Sequence, residues 1–206
     1  MDDRAHHAAI DELISRDSDL AQAVGRSGRP GLFRRPPTFP SLVLFVLEQQ
    51  VSLASAAATY RRLEERGPVT PEAVLHLDGS ELRSIGVSRQ KAGYVRSLAT
   101  GVIDGTLSFD HLASAPDQEV RTALTALPGI GRWTADVFLL VCLGRPDVWP
   151  IGDRALQVGT GEVVGSRHTP TAPELEQIGE RWRPLRSTAA RIVWHDYLVR
   201  RGRSAP

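Results

Sequence analysis

The chain has 206 residues, enough for one domain or for two small lobes sharing a core. It is 41% hydrophobic and 24% charged with a formal net charge of +1, a balance that neither demands nor forbids an anionic partner. The longest aliphatic run, VFLLVCL at 137–143, is too short to span a bilayer, and the acidic start MDDRAHHAAIDELI lacks the pattern of a secretory signal, so no membrane partner and a cytoplasmic location are expected.

In chain order, Ile10, Leu13, Ile14, Ala21 and Val24 at helical spacing predict one amphipathic helix over 3–24. A connection rich in Gly, Pro and Arg follows over 25–40. SLVLFVLEQQVSLASAAATYRRLEERG predicts one long helix over 41–66, stopped by Gly67 and Pro68. Thr70 and Pro71 open the next helix as N-cap and first helical residue. After a short helix and a turn at Gly86 comes a longer helix over 89–103, then helices over 116–126, 132–143, 153–163, 172–183 and 185–201. Nothing alternates with period two, so the expected fold class is all-α, about ten helices with short connections. Cys142, the single cysteine, can build no internal disulfide and no thiolate-held cluster, and reads as a small buried side chain. Lys91 is the single lysine.

LPGIG, 127–131, joins two of these helices. Pro128 ends the first, while Gly129 and Gly131 permit positive φ and close approach of a ligand to the backbone. The first amides of the following helix then face outward, an arrangement suited to an anion, and the hydroxyl of Thr134 is placed to add a contact. A plain tight turn between packed helices is the alternative reading. Further on, Asp153 stands three residues after Pro150 and twenty after Trp133. Taken alone, it reads as the N-cap of the helix RALQVGTGEVV.

Hairpin, spacing and Pro-x-x-Asp together resemble the helix-hairpin-helix DNA glycosylase superfamily. GIGRWTA, LEQQVSLASAAA at 47–58, SRQKAGYVRSLA at 88–99 and ERWRPLRSTAARIVWH at 180–195 are similar to its monofunctional 3-methyladenine DNA glycosylase II branch, over about residues 40–200. The resemblance implies two small lobes with the active site in the cleft between them, and a hairpin at Gly129 and Gly131 that binds backbone phosphate without reading sequence. No metal and no required cofactor are implied, although hairpin carbonyls of the family often hold a monovalent cation. Asp153 becomes the catalytic carboxylate: breaking an N-glycosidic bond builds positive charge on the deoxyribose, which a fixed carboxylate stabilises while it orients or deprotonates water. Trp194 first and Trp133 second would stack on a flipped, electron-poor purine. Trp149 and Trp182 are left to the core. Gln50 would fill the gap left by the flipped base, with Gln49 its neighbour. The implied partner is double-stranded DNA carrying damaged bases, met by a monomer.

Trp133 occupies the region where bifunctional relatives carry a Schiff-base lysine, so strand cleavage by an amine is not expected. Val137 and Thr188 stand where some relatives place pocket aromatics, Arg154 where an aliphatic or aromatic residue is usual, and Gln50 where some carry leucine. The extra N-terminal α/β domain of the larger bacterial enzymes has no counterpart in this length. These departures leave the preferred base open. Two rival readings remain: a non-catalytic DNA-binding module, and a glycosylase for another lesion such as uracil or an oxidised purine. His6 and His7, at an end expected to fray and outside any H-E-x-x-H pattern, do not point to a metallohydrolase.

Overall fold

Side-chain oxygens cap most of the helix starts in this chain. The structure is a computed structural model that describes residues 2–203. Among these residues there are thirteen α-helices and no strand. They run α1 (Asp3–Arg16), α2 (Ser18–Ser27), α3 (Phe39–Glu48), α4 (Leu53–Glu64), α5 (Pro71–His76), α6 (Gly79–Ser84), α7 (Arg89–Ile103), α8 (Phe109–Ser114), α9 (Asp117–Thr125), α10 (Arg132–Val137), α11 (Arg154–Val163), α12 (Ala172–Glu180) and α13 (Arg186–Val199). No described helix is long and apolar enough to cross a membrane. The chain forms two compact units, one holding the residues up to Arg34 and from Leu139 onward, the other Arg35–Phe138.

The first unit is organised around α13, whose residues from Ser187 to Val193 are all buried. α1, α2 and α11 pack on it, and α12 packs on α11. Trp149 and Trp182 meet edge to face with ring centres 5.1 Å apart, and the Trp149 indole donates to the Leu175 carbonyl at 2.8 Å, so both serve the core. Arg191 is buried in the same helix and donates to the carbonyls of Phe33 and Leu140; burial pushes its pKa down to about 10.

In the second unit the apolar α3 buries seven of its ten residues against α4 and α7, and α5 and α6 pack on α7. Arg35 anchors this helix from outside, donating to Glu48 while lying over the Phe45 ring.

Four expectations are corrected. The single helix over 3–24 is two, because Asp17 leaves helical geometry and its Oδ1 accepts the amides of Asp19 and Leu20 to start α2. The long helix over 41–66 is also two, interrupted over 49–52, with the Ser52 hydroxyl accepting the Ser55 amide at the start of α4. The helix over 132–143 is α-helical only to Val137 and continues as a π-helical turn, Phe138–Cys142. The chain is helical from Asp3 rather than frayed there: His6 is fully buried and its Nε2 donates to the Pro30 carbonyl at 3.2 Å. In addition α8, capped by Ser108, was not anticipated.

Candidate functional site

In the first unit, the Pro150 carbonyl accepts the Asp153 amide at 2.9 Å, which closes a tight turn and delivers Asp153 to the N-cap of α11. Gln157 reaches back to the Ile151 carbonyl and secures that turn from one helical turn ahead. The Asp153 Oδ1 accepts the Leu156 amide at 2.7 Å and the Trp194 indole N–H at 3.1 Å. The indole comes within reach because α11 approaches α13 closely at Gly159, where a Cβ would lie 2.8 Å from the Val193 side chain. Both Asp153 and Trp194 are half-buried. Trp194 thus holds the carboxylate by its polar edge, a role that its expected place as a stacking ring did not foresee. Arg154, the first residue of α11, is exposed, whereas Thr188 is buried.

In the second unit, the hairpin lies between α9 and α10. Gly129 adopts φ +82°, and a Cβ there would collide with the Tyr94 ring, so glycine is required twice over. Gly131 has φ −90°, ordinary extended backbone, and serves as the N-cap of α10 with no side-chain cap. Asp136 is buried and accepts from Arg121 of α9 at 2.7 Å and from Arg132 of α10 at 2.8 Å, which clamps the two helices together.

Thr134 is a correction. It is buried, and its hydroxyl faces inward to accept from the Gln49 carboxamide at 3.2 Å. The same Gln49 nitrogen donates to the Gly129 carbonyl at 2.9 Å, so Gln49 grips the hairpin from inside the protein. Gln50, by contrast, is exposed and is the sole described non-glycine residue with positive φ, at +58°. Val51 and Leu53 beside it are each 46% exposed. A cavity of about 510 Å³ is lined by Gln50, Lys91, Tyr94 and residues 125–131. Trp133 is half-buried in the first turn of α10, and Val137 in the last turn is buried.

The sequence reading missed two members of this unit. Asp136 carried an Arg132–Asp136 i,i+4 pair that could have flagged it. Lys91 carried no such signal. Its Nζ donates to the carbonyls of Leu47 and Gln49, both at 2.7 Å, and burial lowers its pKa.

The family model described as HhH-GPD superfamily base excision DNA repair protein matches residues 43–184. The chain belongs to the HhH-GPD family. That span holds Gln49, Gln50, the hairpin and Asp153, while Trp194 lies beyond it. Among relatives, this HhH-GPD chain is 27% identical over 194 residues to DNA-3-methyladenine glycosylase 1 of Schizosaccharomyces pombe, covering 92% of this chain and 84% of that protein. It is 28% identical over 158 residues to the putative DNA-3-methyladenine glycosylase YfjP of Bacillus subtilis, covering 72% of this chain but 55% of that relative, so it spans little more than half of the Bacillus protein. Its fold superimposes on the solved S. pombe 3-methyladenine DNA glycosylase in complex with abasic DNA with a TM-score of 0.84 at 26% identity, covering 91% of this chain and 95% of that one.

Proposed function

We propose that this HhH-GPD protein is a monofunctional DNA glycosylase that, as a monomer, releases alkylated purines such as 3-methyladenine or 7-methylguanine from double-stranded DNA. The observation that carries this reading is the Asp153 carboxylate, held at the α11 N-cap by an amide and an indole that converge on one oxygen. A carboxylate so fixed suits an oxocarbenium-like transition state, because its negative charge needs no reorganisation as positive charge grows on the sugar. It is also placed to orient the attacking water. A purine nucleotide methylated at N3 or N7 is cationic and its base leaves without a general acid, which fits a site built around one carboxylate. Trp194, beside Asp153, supplies a ring for the flipped base. The first turn of α10, which no side chain caps, suits a backbone phosphate. Hairpin carbonyls other than that of Gly129, already engaged by Gln49, would hold a monovalent cation. The single lysine is tied to two carbonyls, which argues against Schiff-base chemistry.

The test is release of free bases from alkylated duplex DNA by the wild type and Asp153→Asn, with strand breaks scored before and after alkali. Methylpurine release by the wild type alone, with breaks only after alkali, is expected. Equal release by both proteins would remove Asp153 from the reaction. Duplex binding with no release of any lesion base would turn the reading toward a non-catalytic DNA-binding module.

A further inference from the structure

We infer that Lys91 and Gln49 form a positioning latch that sets where the exposed Gln50 loop stands relative to the hairpin. Neither residue touches the reacting atoms. The latch rests on the glycosylase reading for its purpose and on the geometry of the second unit for its existence.

α3 ends at Glu48, where the Gln49 amide turns back to the Val46 carbonyl and the carbonyls that follow stand at the negative end of a helix dipole. An ammonium from another helix fills that role. Lys91 of α7 donates to the carbonyls of Leu47 and Gln49, which stops α3 and fixes the direction in which the chain leaves it. Gln49 is then gripped at both ends, its own carbonyl by Lys91 and its carboxamide by the Gly129 carbonyl and the Thr134 hydroxyl. The hairpin and the end of α3, 80 residues apart in sequence, become one piece.

The next residue is where that constraint is felt. Gln50 is held at φ +58°, a conformation that a non-glycine residue adopts at a cost and keeps only when its surroundings impose it. It points the chain outward, with Val51 and Leu53 exposed beside it. An element that must enter a base stack has to arrive at a set distance from the phosphates on which the protein docks. Here that distance is fixed by one ammonium and one carboxamide. Lys91 therefore acts through its N–H donors, not through its reactivity.

The latch predicts a loss specific to opening a paired base. Single-turnover release of one methylated purine is measured from two duplexes, one with the lesion paired and one with it opposite an abasic site, where less unpairing energy is needed. Fluorescence of 2-aminopurine beside an abasic-site analogue reports unstacking without any chemistry. Lys91→Met and Gln49→Met should each lower the rate on the paired duplex about tenfold and on the unpaired one about threefold at most, with a blunted fluorescence rise. Lys91→Arg, which keeps a charged donor, should recover most of the difference. Equal losses on both duplexes, or no loss on either, would overturn the latch. If Lys91→Met does not fold, Gln49→Met decides alone, since it leaves the ammonium in place. Should the wild type release no methylpurine from either duplex, the glycosylase reading falls, and the fluorescence of wild type against variants still decides the latch.

Discussion

Two aspartates in the first unit are built on the same plan, yet one serves the core and the other is the catalytic candidate. Asp17 caps α2, and Asp153 caps α11; each also accepts a tryptophan indole N–H, from Trp182 at 2.8 Å and from Trp194 at 3.1 Å. They differ in burial. Asp17 is buried. Its Oδ1 takes two amides, and its Oδ2 takes the indole and the Arg181 guanidinium at 2.7 Å. Asp153 is half-buried, and its cap amide and the Trp194 indole both reach Oδ1. Saturating both oxygens and neutralising the charge makes a joint. A capped and indole-held carboxylate that is only half-buried is held in place and still presented.

The largest test of this contrast is Asp153→Asn. Asparagine caps a helix about as well as aspartate, so the unfolding midpoint should barely move, whereas base release should fall at least about 10²-fold, roughly 3 kcal/mol at the transition state. Single-turnover release and a thermal melt on the same sample check both halves. The reciprocal substitution, Asp17→Asn, turns an amide toward the Trp182 N–H and Arg181 and should cost about 2 kcal/mol in urea unfolding. Base release per folded molecule should match the wild type. If the two variants exchanged these outcomes, the assignment of roles would be reversed.

The indoles sharpen the contrast further. Trp194→Phe keeps a ring and removes the donor to Asp153, so release should fall about tenfold with little change in stability. Trp182→Phe should show the opposite pattern, a lower unfolding midpoint with release unchanged. The smallest effect is in acid. Burial pushes the Asp17 carboxyl up, but the Leu20 amide, the Trp182 indole and Arg181 outweigh it and hold it below the ordinary carboxylate range. A carboxylate with a depressed folded pKa contributes stability above its unfolded value and loses it as pH falls through the folded one. Stability of the wild type should therefore drop as pH falls below about 4, and Asp17→Asn should flatten that drop. Urea midpoints measured across pH 2–5 would show whether the two slopes coincide, which would exclude Asp17 as a contributor.

How far the site could be read in advance follows the range of the contacts that make it. Asp153 was legible both as a cap and as a catalytic candidate, since the amide it accepts belongs to a residue three positions on and Pro150 closes its turn. Gly129 was legible because a positive φ leaves few residues to choose from. Thr134 was misplaced because its position in a first helical turn says nothing of which way its hydroxyl faces once Gln49 arrives from another helix. The break at Gln49–Ser52 stayed hidden because apolar residues continue on either side of it at helical spacing.

The amino-acid sequence alone determined the all-helical class, the hairpin, the capping aspartate and the absence of a second lysine for amine chemistry, because each is expressed within a few residues or by composition. Tertiary structure alone decided that α3 stops at Glu48, that Gln50 turns outward at positive φ, that Gln49 faces the hairpin, and that a tryptophan 41 residues away holds Asp153. The physical reason is the same in each case. A buried carbonyl, carboxamide or indole N–H must find a partner, and which partner it finds depends on which helices pack together rather than on its neighbours in the chain.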